Sequence, residues 1–154
     1  MNGRRVGILG GTFDPPHLGH INLARAIGAH LRLEEVRLVL SASPPHKDNR
    51  NVTPAPLRWK MLCAALEGLT ELKASDMECR RQEPSWTIRT VERLQREEPG
   101  LRLVFLTGSE GFLLIRTWRE YRRLLTLLPF AILLRTPDDR VPVSRLIRER
   151  AGPF

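Results

Sequence analysis

The sequence has few cysteines and no long apolar run. Two cysteines occur among the 154 residues, Cys63 and Cys79, and they do not form a CxxC pair. Neither a disulfide framework nor a zinc site built from cysteine alone is therefore expected. No apolar stretch approaches the ~20 residues that a membrane span requires, and the short run near the start is broken by glycine before it can form a signal-peptide core. We expect a cytoplasmic protein with no membrane partner.

Lysine is scarce although the chain is basic. There are 25 Lys and Arg residues against 17 Asp and Glu, giving a net charge of +8, and only three of the cations are lysine. Arginine suits planar anions, so a nucleotide or a nucleic acid is a candidate partner, and a solvated arginine-rich surface is the alternative. No basic run is interleaved with aromatic residues, which makes nucleic acid the less favoured partner.

Short apolar runs alternate with amphipathic stretches along the chain. The runs predict strands at residues 6–9, 36–40, 72–75, 101–106 and 130–134. Helical spacing predicts helices from about residue 18, at 57–65, at 87–97 and, as one long helix, at 112–128. The segment 41–56 contains four prolines and is predicted to be an exposed loop without regular structure.

This alternation predicts one domain over residues 1–154, of the α/β class, with a doubly wound parallel five-stranded sheet. Such a length is enough to bury a core without disulfides or a structural metal. Ligands of these sheets bind beyond the carboxyl ends of the strands. The segments that directly follow the five predicted strands are therefore the places where a site is expected.

The segment after the first strand, residues 10–20, reads GGTFDPPHLGH. It is neither a GxGxxG dinucleotide motif nor a GxxxxGK[ST] P-loop. Gly10 and Gly11 allow a ligand to approach the main chain closely, and Thr12 offers a hydroxyl and an amide. A helix that begins near His17 favours negative charge at its start. The segment therefore predicts a phosphate site.

His17 and His20 are three residues apart, so they lie on one face of the first helical turn, and Gly19 between them removes a side chain. Two other interpretations remain open, a capped and solvated helix start and a histidine metal pair. The metal pair is disfavoured because the remaining histidines and cysteines are not spaced as further ligands. No metal site built from protein side chains alone is expected.

The segment 10–20 resembles the nucleotidylyltransferase signature with its HxGH core, and four further segments narrow the resemblance to the bacterial nicotinate mononucleotide adenylyltransferases. PPHK stands at residues 44–47, R-x-x-M at 58–61 and EPSWTIRTV at 83–91. Gly108, Ser109 and Glu110 stand where that family has G-x-D, and Trp118 stands where it has a tryptophan. The ordered set covers about residues 5–136.

The resemblance implies a Rossmann-like nucleotidylyltransferase fold and adenylyl transfer from ATP to nicotinate mononucleotide, with Mg²⁺ bridging the phosphate oxygens. The catalytic residues that it implies are His17, His20 and Lys47. Those implied to bind ATP are Gly10, Gly11, Thr12, Phe13, Gly19, Ser144 and Arg148. Those implied to bind the acceptor are Thr87, Trp118, Gly108 and Glu110. Trp118 as a core residue and Thr87 as a mere helix cap are the structural alternatives.

The chain departs from the family pattern near its end. The family continues after the fifth strand with another αβ unit and an ISSTxIR segment, for which the nearest match is residues 142–148, where Ser144, Ile147 and Arg148 fit. A C-terminal unit of roughly thirty residues is thus expected to be missing. Glu110 in place of Asp is a second departure.

Two other activities compete with the leading one. A phosphopantetheine adenylyltransferase has the same fold, and a nucleotide-binding pseudoenzyme would retain the fold without turnover. A nucleic-acid module rests on charge alone. The sequence leaves open the choice between nicotinate and nicotinamide mononucleotide, and a homo-oligomer is compatible with it.

Overall fold

The computed structural model describes residues 3–45, 49–80 and 83–149. The strands of this part of the chain are β1 (Arg5–Gly11), β2 (Glu35–Leu40), β3 (Leu72–Ser75), β4 (Arg102–Gly108) and β5 (Phe130–Leu133). Its α-helices are α1 (Leu18–His30), α2 (Ala55–Ala65), α3 (Thr87–Glu97), α4 (Ser109–Leu113), α5 (Tyr121–Leu127) and α6 (Arg140–Arg148). Single 3₁₀ turns occur at Asn49–Asn51, Ile115–Thr117 and Pro137–Asp139.

The strands form one parallel sheet in the order β3-β2-β1-β4-β5. The chain builds the β1–β2–β3 half first and then crosses back to place β4 on the other side of β1. The α/β, doubly wound, five-stranded sheet expected from the sequence is thereby confirmed. The order reverses between β1 and β4, and the crevice at the carboxyl ends of these two strands is the usual ligand position in such sheets.

Helices cover both faces of the sheet. On one face α1 and α2 pack with the strands in a buried cluster that includes Leu62. On the other face α3 and α5 do the same in a cluster that includes Val91. A third cluster joins α4 to α6 through Phe112 and Val143. Strands that are buried on both faces read as nearly continuous apolar runs, which is why the sequence located them well.

No helix in the described ranges combines the length and the apolar character needed to cross a bilayer.

The prediction of a single long helix over residues 112–128 is wrong. The chain instead forms α4, the 3₁₀ turn Ile115–Thr117 and then α5. Trp118 is extended, with φ −77° and ψ 139°, and Glu120 has a left-handed φ of 50°, which ends one helical segment before the next begins. This break turns the indole of Trp118 onto the ring of Phe105, whose centroid lies 5.6 Å away. The apolar residues whose spacing predicted one helix lie instead on two short helices and the 3₁₀ turn between them.

The prediction that residues 41–56 form an exposed loop without regular structure is wrong in three details. Asn49–Asn51 forms a 3₁₀ turn, and α2 already begins at Ala55. Pro56 lies in the first turn of α2, where its missing N–H costs nothing because that donor has no helical partner. Pro44 is buried rather than exposed. The proline content therefore marked a helix start as well as a loop.

Candidate active site

A cavity of about 250 Å³ opens at the carboxyl ends of β1, β2 and β4. Gly10 and Gly11 from β1, Val39 from β2 and Phe105 from β4 line its inner part. The connections that follow β1, β2 and β3, the start of α3 and the segment before α5 line the rest. The cavity therefore lies where the sheet topology predicts a ligand.

The two histidines of the first segment stack on each other at the start of α1. Their ring centroids are 3.7 Å apart and the ring planes differ by 25°. His17 Nδ1 accepts the N–H of Gly19 at 3.1 Å, and His20 Nδ1 accepts the N–H of His17 at 3.2 Å. These two bonds form a capping box, an arrangement more often made by Ser or Thr with Glu or Gln. The predicted capped helix start is therefore present, made by the histidines themselves.

The capping box selects the tautomer of each neutral ring. An Nδ1 atom that accepts an N–H cannot carry a proton, so each neutral ring has its proton on Nε2. His17 is exposed and His20 is half-buried, with the ring of Phe13 edge-on at 5.0 Å. Two N–H donors are thus held rigidly at the positive end of α1. Donors so placed suit the oxygens of a phosphate.

Two glycines of this segment are required by neighbouring rings. A Cβ at Gly19 would lie 2.9 Å from the His17 imidazole, and one at Gly11 would lie 2.9 Å from the Phe13 ring. Phe13 itself has a left-handed φ of 48°, and its side chain is 1% exposed, within the core. Any contact of Phe13 with a ligand is therefore limited to its main chain.

Gly10 differs from these two because a Cβ there would meet only Phe105 Cζ, at 3.8 Å, an ordinary contact. The protein alone leaves room for a side chain at this position, and that side chain would occupy the cavity. Gly10 therefore satisfies the condition for close approach of a ligand to the main chain.

The main chain after β2 is bonded to the segment that precedes α3. The N–H of Ser43 donates to Ser85 Oγ at 3.2 Å, and the N–H of Ser85 donates to the carbonyl of Ser43 at 3.0 Å. Pro44 and Pro45 follow and line the cavity. Lys47 and His46 belong to the next residues of this connection and lie outside the described residues, so their predicted place at the site stays a prediction.

Aromatic and charged side chains line the far end of the cavity. Trp86, Thr87 and Trp118 all face it. Trp118 is half-buried and also packs against the sheet, so the core and cavity interpretations both hold for it. Thr87 is the first residue of α3 and Trp86 occupies the N-cap position, so the suggestion that Thr87 caps its helix is wrong.

Two charged residues that the sequence analysis did not single out belong to this end. The guanidinium carbon of Arg119 lies 5.4 Å from the centroid of the Trp86 ring, a cation–π contact. Glu78 accepts a hydrogen bond from Thr90 Oγ1. Their positions in the sequence could have indicated both residues, because Arg119 follows Trp118 directly and Glu78 follows the third strand, where a ligand site is expected.

Eight of the predicted residues that the structure describes do not line this cavity: Phe13, His17, Gly19 and His20 of the first segment, and Gly108, Glu110, Ser144 and Arg148 later in the chain. Gly108 ends β4 and precedes α4, on the sheet edge that the cavity uses. The Glu110 side chain is 71% exposed and pairs with Arg135. Ser144 and Arg148 lie on α6, half-buried and exposed respectively. The cavity brings together Gly10, Gly11, Thr12, Thr87 and Trp118. The stacked histidines lie at the start of the helix that follows β1, on the same edge of the sheet, and the α6 residues do not line the cavity.

Asp139 holds the end of β4 to the segment after β5. Its carboxylate accepts Ser109 Oγ–H at 2.6 Å and the N–H groups of Arg135 and Thr136, each at 3.1 Å. The hydrogen bond from the Ser109 hydroxyl, with those from the main chain, holds the pKa of Asp139 below its usual range. Ser109 is fully buried, so this carboxylate satisfies a hydroxyl that has no water to bond.

In the described part of the chain, no group of three or more His, Cys, Asp or Glu side chains could hold a metal ion.

The sequence matches the cytidylyltransferase-like family model over residues 8–150. It is 44% identical over 149 residues to a probable nicotinate-nucleotide adenylyltransferase of Desulfatibacillum aliphaticivorans, covering 94% of this chain and 68% of that protein. It is 40% identical to a protein of the same description from Symbiobacterium thermophilum, covering 97% and 71%. The chain belongs to the nicotinate-nucleotide adenylyltransferase family.

A solved structure shares the fold of this family member. The nicotinic acid mononucleotide adenylyltransferase of Plasmodium falciparum, complexed with NaAD, superposes with a TM-score of 0.80 at 20% identity. The match covers 92% of this chain and 71% of that one. The resemblance inferred from the motifs in residues 10–20, 44–47 and 83–91 is thus confirmed at the level of family and fold.

Proposed function

We propose that this chain transfers the adenylyl group of ATP to nicotinate mononucleotide, releasing pyrophosphate and forming deamido-NAD. One observation carries the proposal. The stacked pair His17 and His20, with its two Nε2–H donors, and the cavity lined by Trp86 and Trp118 both follow strands at the same edge of the sheet. Phosphate donors and an aromatic cavity at one edge of the sheet suit a reaction between two nucleotides. The names of the relatives support this choice of substrates.

The reaction needs no covalent intermediate on the protein. A phosphate oxygen of the mononucleotide attacks the α-phosphorus of ATP, the bond from that phosphorus to the bridging oxygen breaks, and pyrophosphate leaves. The protein has to hold two anions in line and stabilise the growing negative charge. His17 and His20 would do so by donating from Nε2 to the ATP phosphates at the start of α1. Lys47, from the connection after β2, would add a cation.

The acceptor would occupy the aromatic end of the cavity. We assign the stacking surface for the pyridine ring to Trp118, with Thr87 and the main chain near it as polar contacts. Arg119, on the face of Trp86, brings a cation to the same end, which suits the carboxylate of a nicotinate. Gly10 would allow the sugar and phosphate to lie against β1.

Mg²⁺ would enter with ATP and be bound mainly by phosphate oxygens and water, as it commonly is in phosphoryl and nucleotidyl transfer. Its contribution there is to neutralise phosphate charge. The Nε2–H donors of the first segment would bind phosphate oxygens that the ion leaves unused.

A pyrophosphate-release assay with ATP, Mg²⁺ and a panel of acceptors tests the proposal. We expect turnover with nicotinate mononucleotide, less with nicotinamide mononucleotide and none with phosphopantetheine. The double variant His17→Ala/His20→Ala serves as the inactive control. Turnover only with phosphopantetheine would move the chain to another adenylyltransferase activity. ATP binding without turnover on any acceptor would make it a nucleotide-binding pseudoenzyme.

A further inference from the structure

Arg58, in the first turns of α2, has a guanidinium that bonds to the main chain of three segments. Nε donates to the carbonyl of Thr53 at 2.6 Å. Nη1 donates to the carbonyls of Thr12 and Ser41, both at 2.8 Å, and Nη2 donates to that of Ala42 at 3.0 Å. The residue is 1% exposed. One buried side chain therefore joins the connection after β1, the connection after β2 and the residues before α2.

A buried cation carries a high desolvation cost unless its donors are satisfied. Burial lowers the pKa of Arg58, and the nearby Asp14 carboxylate opposes that shift. Asp14 also accepts the N–H of Thr53 at 2.8 Å, so it fixes one of the segments that Arg58 bonds. The guanidinium remains charged, because arginine keeps its proton throughout the accessible pH range. Arg58 is therefore a charged, buried cross-link that holds the three segments together by hydrogen bonds.

The bonded carbonyls belong to segments that form the candidate site. Thr12 and Ser41 both line the cavity. Ser41 also donates its N–H to the carbonyl of Gly11 at 2.8 Å, which extends the β1–β2 pairing into the site. On the far side of Ala42, Ser43 is bonded in both directions to Ser85. The wall of the cavity between β1 and α3 thus depends on Arg58 at its middle.

We propose that Arg58 is a positioning residue for adenylyl transfer, setting the separation between the Thr12 segment, which follows β1, and the Ser41–Ala42 segment, which follows β2. The inference rests on the proposed function. Misplacing reacting groups by about 1 Å can lower the rate 10²-fold. Arg58 can therefore affect turnover without touching a substrate.

Lysine is the informative replacement. It keeps the positive charge and a long apolar stem, but its ammonium presents three donors from a single point. A single point cannot meet four carbonyls on three segments. Arg58→Lys should therefore fold, keep some of the bonds and release others.

Arg37→Lys is the matched control. Arg37 is a half-buried arginine of β2 that bonds Glu35 and Glu98. It pairs in register with Ile8, away from the cavity, and like Arg58 it loses a planar donor set on becoming lysine. A loss of stability common to both variants is structural. An effect confined to Arg58→Lys belongs to the site.

The first measurement is amide hydrogen exchange without any substrate. We expect faster exchange at residues 11–14 and 41–43 in Arg58→Lys and wild-type exchange there in Arg37→Lys. The second is steady-state kinetics, where we expect kcat/KM to fall about 10–100-fold in Arg58→Lys alone. Both measurements are made on each variant at the same number of degrees below its own melting temperature. Should Arg58→Lys not fold, Arg58→Gln replaces it, since its amide keeps two planar donors.

The outcomes separate the two claims. Wild-type exchange at both segments in the Arg58 variant overturns this inference, as does a kinetic loss equal to that of Arg37→Lys. Absence of adenylyl transfer by the wild type overturns the proposed function alone, because the exchange measurement uses no substrate. Faster exchange together with a selective kinetic loss supports the positioning role.

Discussion

The two sides of the cavity are held by different forces. On the β1 and β2 side the chain is fixed by hydrogen bonds that involve main-chain atoms: Arg58 donates to carbonyls, Ser85 Oγ accepts the N–H of Ser43, and His17 Nδ1 accepts the N–H of Gly19. On the β4 and β5 side it is fixed by packed rings, with Trp118 edge-on to Phe105. Directional N–H groups suit phosphates, whereas aromatic faces suit a planar ring. The contrast predicts that damage to one side impairs phosphate chemistry and damage to the other impairs acceptor binding.

The largest effect is expected from His20→Ala on the phosphate side. Removing a donor used mainly in the transition state should lower kcat by about 10²–10³ with little change in the melting temperature. Steady-state kinetics and thermal unfolding measure the two. His30→Ala, at the exposed end of the same helix, is the control and should behave as wild type. Near-normal turnover in His20→Ala would remove this histidine from the chemistry.

On the aromatic side, Trp118→Ala should raise KM for nicotinate mononucleotide about tenfold, the equivalent of ~1.4 kcal/mol of stacking, with a smaller change in kcat. Trp59→Ala, which removes an indole that packs against the α1 and α2 side of the sheet, should leave that KM unchanged. In a chain with Trp59 and Trp86 replaced by Phe, the remaining fluorescence should respond to the mononucleotide and not to ATP alone. A signal insensitive to the mononucleotide would assign Trp118 to the core only.

A smaller effect, on stability rather than on catalysis, is expected from Asp139→Asn. The folded-state pKa of Asp139 is lowered, so its ionised form stabilises the fold above the ordinary aspartate pKa of about 4, and that stabilisation is lost as pH falls through the lowered value. The melting temperature of the variant should therefore lie below that of wild type at pH 7, and the difference should narrow as the pH falls below about 4. Asp138→Asn, an exposed neighbour, is the control. A gap that persists unchanged at low pH would contradict the assignment.

The smallest effect is expected from Arg148→Ala. The resemblance implies a phosphate contact, whose loss would weaken ATP binding by ~1.5–3 kcal/mol. In the structure Arg148 is exposed on α6, which packs on α4 through Val143 and Leu146 and does not line the cavity. We therefore expect less than a twofold change in the ATP dissociation constant by calorimetric titration. A tenfold loss would show that α6 reaches the nucleotide.

The sequence predicted the strands and the first site segment well, because both are local. A strand buried on both faces is an apolar run, and the residues 10–20 lie between one strand and one helix. The break at Trp118 was missed because an extended residue within helical spacing is chosen by tertiary packing. The role of Arg58 could not be predicted, since it depends on where four carbonyls from separate segments meet. Ser144 matched a motif in sequence and lies on α6, which does not line the cavity, so its contact with ATP stays a prediction.

Substitution of Gly10, Gly11 or Gly19 would harm the protein in a different way at each position. Alanine at position 11 would press on the buried Phe13 ring and be selected against by folding itself. Alanine at position 19 would displace the exposed His17 ring, leaving a folded protein with a separated histidine pair. Alanine at position 10 would disturb neither and would only occupy the cavity. A library scored for soluble expression would retain glycine at 11, whereas positions 10 and 19 would be held to glycine only when the library is scored for turnover.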